Sequence, residues 1–202
     1  RSIYQSRTLK MNQTIDLLTS HRSIRKFTDE PVDPDLFTRL VEAAQASASS
    51  SFLQGVTIIR VTDSGKRVAL RDVAGGQAYV ETAPEFLVFC ADLSRPMRCC
   101  RQHGGTPAEG LTEQFVIATV DAALYAQNLV IAAESAGLGI CYIGALRNDP
   151  AKVTKLLDLP QQVYPVFGLC LGHPAQDPEV KPRLPVSVTL KTDSYSTDGE
   201  DE

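Results

Sequence analysis

The chain has no tryptophan, two methionines and three histidines in its 202 residues. His21, His103 and His173 stand too far apart to share a metal-ligand spacing. None of the five cysteines forms a C-x-x-C pair, so no metal centre is expected. The cysteine number is odd and Cys99 adjoins Cys100, which leaves out a disulfide framework as well. Cys90, Cys141 and Cys170 sit in apolar runs, where a thiol behaves as a small core side chain. That usage fits a reducing compartment. Also missing are G-x-G-x-x-G after a strand, the phosphate-binding G-x-x-x-x-G-K-[ST] loop and the G-x-S-x-G elbow. Any chemistry is therefore expected to depend on a bound cofactor. Net charge is small too: 20 Lys and Arg against 24 Asp and Glu give −4. Neither nucleic acid nor an anionic membrane has an electrostatic reason to bind. A local basic cluster would still serve a phosphorylated ligand.

Residues 1–10 are polar with no apolar core behind them, so no secretory signal is read there, and a cytoplasmic location is expected. Met11 reads as a natural start, which makes 1–10 an expression remnant or an extension. The stretch from Gly110 to Gly137 is long and apolar, but Glu113, Asp121, Gln127, Asn128 and Glu134 interrupt it. Charges inside a bilayer cost about 2.5–3.5 kcal/mol each, so it reads as the buried helix of a soluble protein.

Local patterns predict helices over Asn12 to Ser20 and over Pro34 to Gln45, the second opened by the cap Asp33 and Pro34. A strand follows at Val56 to Val61, then a helix at Asp63 to Ala74 stopped by Gly75-Gly76. Glu85 to Ala91 is a central strand, and Asp92 to Gly110 a long surface loop. The long helix runs from Leu111 to Ala136, followed by a strand at Ile140 to Ile143 and a helix from Pro150 to Leu157. Val163 to Leu171 and Val186 to Leu190 are read as the last strands, joined by a connector with Pro174, Pro178, Pro182 and Pro185. Residues 11–191 form one domain in this reading, and 192–202 an acidic mobile tail. The mixed order without regular alternation gives an α+β fold. The long helix is apolar nearly all round, so it is buried either inside its own domain or in a subunit interface.

Several segments offer chemistry, each with an ordinary alternative. His21-Arg22-Ser23-Ile24-Arg25-Lys26-Phe27 concentrates fork-shaped donors suited to a phosphate, or is a solvated basic surface at a helix end. Lys181-Pro182-Arg183 points two cations to one side, or is a charged loop facing water. Ser49, Ser50 and Ser51 offer hydroxyls and amides, or merely end a helix. Gln77 beside two glycines suits a donor–acceptor ring edge, or is a surface residue after a helix stop. Gly137 to Gly144 lets backbone approach a flat ligand, or serves tight strand–helix packing.

Taken together, HRSIRKFTDEPV, SSSFLQ, GGQAYVE, EFLVFCAD, AQNLVIAAESAGLG, YIGALRN, VFGLCLGHP and KPRLP, in this order, resemble the oxygen-insensitive NADPH nitroreductases and NADPH–flavin oxidoreductases. The resemblance covers nearly all of Met11 to about Tyr195. It implies a nitroreductase-like fold, with a mostly antiparallel central sheet flanked by helices. It also implies a homodimer with the long helix at its interface. It implies tightly bound FMN, reduced by NADPH or NADH, and small flat acceptors: nitroaromatics, quinones or free flavin. NAD(P)H would pass hydride to the flavin N5 and leave before the acceptor takes two electrons.

By matching positions, His21, Arg22, Ser23 and Arg25, with Lys181 and Arg183, would contact the FMN phosphate and ribityl chain. Ser49, Ser50 and Ser51 would add contacts, some from the partner subunit. Gln77 would read the ring edge, and Tyr142, Ile143 and Gly144 would run beside the ring. Phe52 and Arg147 are candidates for the substrate pocket. No side-chain acid or base is required, so no catalytic residue is named. Two departures stand out: Ala145 replaces a second glycine, and no version of the family's arginine-bearing C-terminal arm is recognisable, which leaves NADPH selectivity open. The alternative is a non-catalytic flavin carrier or sensor that has lost its reductant site. One geometric condition decides the reading: the basic turn and the Lys181–Arg183 connector must share a pocket.

Overall fold

The computed structural model describes residues 12–199. A four-stranded antiparallel sheet has the order β1-β2-β4-β3. Its strands are β1 (Val56–Arg60), β2 (Glu85–Asp92), β3 (Gly139–Ile143) and β4 (Val163–Gly172). The helices are α1 (Gln13–Thr19), α2 (Pro34–Gln45), α3 (Ser64–Val73), α4 (Tyr79–Thr82), α5 (Ser94–Gln102), α6 (Thr112–Ser135), α7 (Pro150–Leu156) and α8 (Val186–Thr189). This is the expected α+β arrangement. Residues 1–10 lie outside the described part.

Every residue of β2 is buried, because helices cover both faces of the sheet. Alternation along the strand sends Leu87, Phe89 and Ala91 to one layer and Phe86, Val88 and Cys90 to the other. The first layer packs under α2 and α6, and the second under α3, α4 and α7. Full burial of each phenylalanine contributes roughly 1.5–3 kcal/mol. Cys90, Cys141 and Cys170 are small core side chains, as read from their neighbours. Burial pushes the Cys90 thiol up to about 12 and also raises Cys141 and Cys170, so all three are poor nucleophiles.

The cap-plus-proline starts are realised: Asp33 Oδ1 accepts from Leu36 N at 2.8 Å, and Asp149 Oδ1 from Lys152 N at 2.9 Å. Two segments differ from expectation. The stretch read as a loop at Asp92 to Gly110 contains α5, its first turn closed by Asp92 Oδ1 accepting from Ser94 Oγ and from Arg95 N. Pro96 falls in that first turn, where its missing N–H has no intrahelical partner to lose. The stretch read as a strand at Val186 to Leu190 holds the one-turn helix α8. Its β-branched residues suit a strand, but the connector carries them away from both sheet edges. A strand without a neighbour leaves its backbone unpaired, and a helical turn closes locally.

Helix α6 is long and apolar enough, by length and composition, to cross a membrane. Here Ala118, Ala122, Ala126, Leu129, Val130 and Ala133 line the core. Its other side leaves Val116, Val120 and Leu124 each more than 40% exposed, so the described part of the domain covers only part of it.

Candidate functional site

The basic turn follows α1 and is held on the outer edge of β3. Ile24 N donates to Ile140 O at 2.8 Å, and Phe27 pairs with Pro174 beyond the end of β4. Gly139 makes the approach possible, since a Cβ there would sit 2.6 Å from Ile24 Cγ1 and 2.8 Å from Ile24 Cβ. With Ile24 buried as an anchor, its neighbours turn outward.

The connector returns to this place. His21, Arg22, Ser23 and Arg25 line one cavity of about 100 Å³ with Lys181 and Arg183, closed by Pro178 and Glu179. That is room for a small anion, not a tricyclic ring. Arg22 pairs with Asp177, and His21 Nδ1 lies 2.6 Å from Glu134 Oε1. Among the described residues, Arg25, Lys181 and Arg183 form no ion pair with a carboxylate. Unpaired cations gathered around a small cavity repel one another until an anion enters it. A phosphate monoester fits that donor set.

Gln77 approaches the same turn through a side chain the sequence did not single out. Tyr79 Oη donates to Gln77 Oε1 at 2.8 Å, and Arg25 interacts with the same phenol. Burial raises the Tyr79 hydroxyl above its ordinary value, with Arg25 opposing the shift. Arg25 also acts on Cys141, one residue before Tyr142. Tyr142 is half-buried edge-on to Phe167, and burial, then the charge of Glu134, pushes its hydroxyl up to about 12. Ile143 is buried, and Gly144 opens a 3-10 turn across which the Arg147 guanidinium lies. Arg147 also donates to Val166 O at 2.8 Å, which fixes it over the turn.

The serine run lies elsewhere. Ser49 lines a different cavity of about 350 Å³ with Arg95, Asp121 and Tyr125, beside α6. Asp121, buried in α6, accepts from Ser49 Oγ at 2.6 Å, Ser50 N at 3.1 Å and Gly55 N at 3.0 Å. The clamp holds a strained loop in which Ser51, Phe52 and Gln54 all have positive φ. Ser50, Ser51 and Phe52 face outward, Phe52 being 81% exposed. Ser49 and Arg25 thus line two different cavities. Tyr79, Glu134 and Asp121 are the residues that sequence reading passed over. Glu134 carried one signal, a carboxylate in the last turn of a helix, where the dipole disfavours it.

Residues 18–173 match the model of the nitroreductase family. The chain belongs to that family. Among its curated members, the chain is 49% identical to an oxygen-insensitive NADPH nitroreductase of Salmonella typhimurium, over 92% of this chain and 75% of that protein. It is 50% identical to an NADPH-flavin oxidoreductase of Vibrio harveyi, again over 92% of this chain and 75% of the relative. The solved structure of the Vibrio harveyi NADPH:FMN oxidoreductase, complexed with NAD+, superposes with a TM-score of 0.89 at 48% identity. That superposition covers 94% of this chain and 81% of the other. A nitroreductase A from Vibrio parahaemolyticus gives a TM-score of 0.90 at 48% identity, covering 95% of this chain and 80% of that one. Nitroreductase-family membership thus rests on most of the chain in both sequence and shape.

Proposed function

We propose that this nitroreductase-family protein is an FMN-dependent NAD(P)H oxidoreductase. The observation that carries the reading is the convergence of Arg25, Lys181 and Arg183, none of them in an ion pair among the described residues, on one anion-sized cavity that Glu179 also lines. Relatives named as NADPH nitroreductase, NADPH-flavin oxidoreductase and FMN reductase support it. Bound FMN would supply the two-electron relay between NAD(P)H and a flat acceptor such as a nitroaromatic, a quinone or free flavin.

The residues divide the work of holding it. Arg22, Arg25, Lys181 and Arg183 would take the phosphate, since charge-assisted hydrogen bonds contribute about 1.5–3 kcal/mol each. Ser23 and His21 would add donors at the same end. The Gln77 amide, steadied by Tyr79, can match alternating donors and acceptors on a ring edge. Backbone at Tyr142 to Gly144 would border the ring, with Arg147 and Phe52 toward the acceptor side. Ser49 lines a different cavity and Ser50 and Ser51 are exposed, so the three would act in the site of a partner subunit. The bare face of α6 lies beside that loop, which supports a homodimer joined along it. Cysteines that are all unpaired suit a reducing cytoplasm.

The purified chain is expected to be yellow. Adding NADPH or NADH without oxygen should bleach its flavin band, and a nitroaromatic or quinone should restore it. A colourless protein that does not take up FMN, or a flavin band indifferent to both nicotinamides, would refute the assignment.

A further inference from the structure

Glu134 is placed where helix physics disfavours it. It sits in the last turn of α6, no basic residue shares that turn, and the carbonyl ends of the helix raise the cost of a negative charge. Only 14% of its side chain is exposed. Its close partner is the His21 ring, with Nδ1 at 2.6 Å from Oε1. With Glu134 as the acceptor, the proton of this hydrogen bond sits on Nδ1. Phosphate oxygens accept, so Nε2 must also carry a proton to bond one, and no described residue bonds Nε2. His21 also lines the anion cavity, with Arg22 and Arg25 from its own turn and Glu179, Lys181 and Arg183 from the connector.

We propose that Glu134 is a positioning residue for the anion pocket, aiming His21 so that Nε2 meets a phosphate monoester. The proposal rests on the flavin-nucleotide reading above and adds to it a carboxylate outside the cavity wall. The backbone of the turn is already fixed by Ile24 on Ile140 and by the close approach at Gly139. These backbone contacts do not fix the ring of His21, which is 29% exposed and whose side-chain hydrogen-bond partner among the described residues is Glu134. Glu134 removes that freedom before the ligand arrives, which is how an outer partner strengthens a ligating histidine. The carboxylate also balances the extra positive charge when a histidine donates through both nitrogens among arginines.

A double-mutant cycle on the full chain tests this, with the FMN dissociation constant read by quenching of flavin fluorescence. Glu134→Gln should weaken FMN on the order of tenfold in the parent protein. In a His21→Gln background, the same change should have almost no effect. Ring-nitrogen NMR shifts of His21 should move in Glu134→Gln before any FMN is added. An equal loss in both backgrounds would mean that Glu134 only staples α1 to α6, and would overturn the proposal. So would unchanged affinity or unmoved nitrogen shifts. If Glu134→Gln does not fold, Glu134→Asp keeps the charge at a longer reach and should fall between parent and His21→Gln; parent-like affinity in it would count against the geometry. Arg25→Ala separates the levels. A weakened Arg25→Ala beside an unaffected Glu134→Gln removes only the positioning role, whereas an unaffected Arg25→Ala removes the flavin reading itself.

Discussion

Gly139 shows how one missing atom shapes the candidate site. A methyl group there would overlap the Cβ and Cγ1 of buried Ile24, which cannot swing away as a flexible chain end could. Gly139→Ala is therefore expected to lose about 1–3 kcal/mol of stability, typical of overpacking, and to retain FMN less well. Thermal unfolding and flavin titration check both; unaltered flavin affinity would show that the turn tolerates displacement. Asp92 makes a second residue-scale prediction. Burial alone would raise its carboxyl, but hydrogen bonds from Thr57, Ser94 and the Arg95 amide, with the Arg95 charge, outweigh that and hold it below the ordinary value. A depressed carboxyl stabilises the fold above the unfolded value of about 4 and stops doing so as pH falls through the folded value. Asp92→Asn should be less stable than the parent at neutral pH, and the gap should shrink on acidification below pH 4. Melting temperatures across that range decide it, and a constant gap would contradict the sign.

At the scale of elements, α6 holds the loop that follows α2. The Asp121 carboxylate answers one hydroxyl and two amides of residues 49–55, and the loop keeps left-handed backbone at Ser51, Phe52 and Gln54. Asp121→Ala would leave buried donors unanswered, at about 1–3 kcal/mol each, so the loop should relax. Faster amide exchange confined to residues 49–55, with a lower melting temperature, is the expected result. Unchanged exchange there would mean that the loop is held by something other than the clamp. Elements were also where reading from sequence succeeded most. The Asp33-Pro34 and Asp149-Pro150 starts and the apolar run of β2 act within a few residues, so their outcome was visible in the chain. The Val186 to Leu190 segment was misread because its composition favours a strand, while a strand exists only if a neighbour is present to pair with it.

At the scale of the whole chain, the described residues leave one apolar face of α6 uncovered. Val116, Val120 and Leu124 form a surface that single chains in water seldom retain. Val120→Glu would place an unpaired charge in the proposed subunit contact, at about 3–5 kcal/mol. Size-exclusion chromatography with light scattering should then show monomers, and FMN should be lost with the partner's Ser49 to Ser51 loop. A dimer persisting in that variant would place the contact elsewhere. At this scale the candidate site divides into what could be read early and what could not. The basic turn and the Lys181–Arg183 connector each announced anion affinity through residue type alone, but each was equally compatible with a wetted surface.

The amino-acid order determined the helices with strong caps, the central strands, the buried cysteines and the kinds of donor available, because these depend on neighbours a few positions away. Only the tertiary structure decided that residues 21–25 and 181–183 face one cavity while Ser49 lies by α6, and that a carboxylate at position 134 backs a histidine at position 21. Those facts depend on how the sheet edge and the connector meet in space, and chain separation carries no measure of that distance.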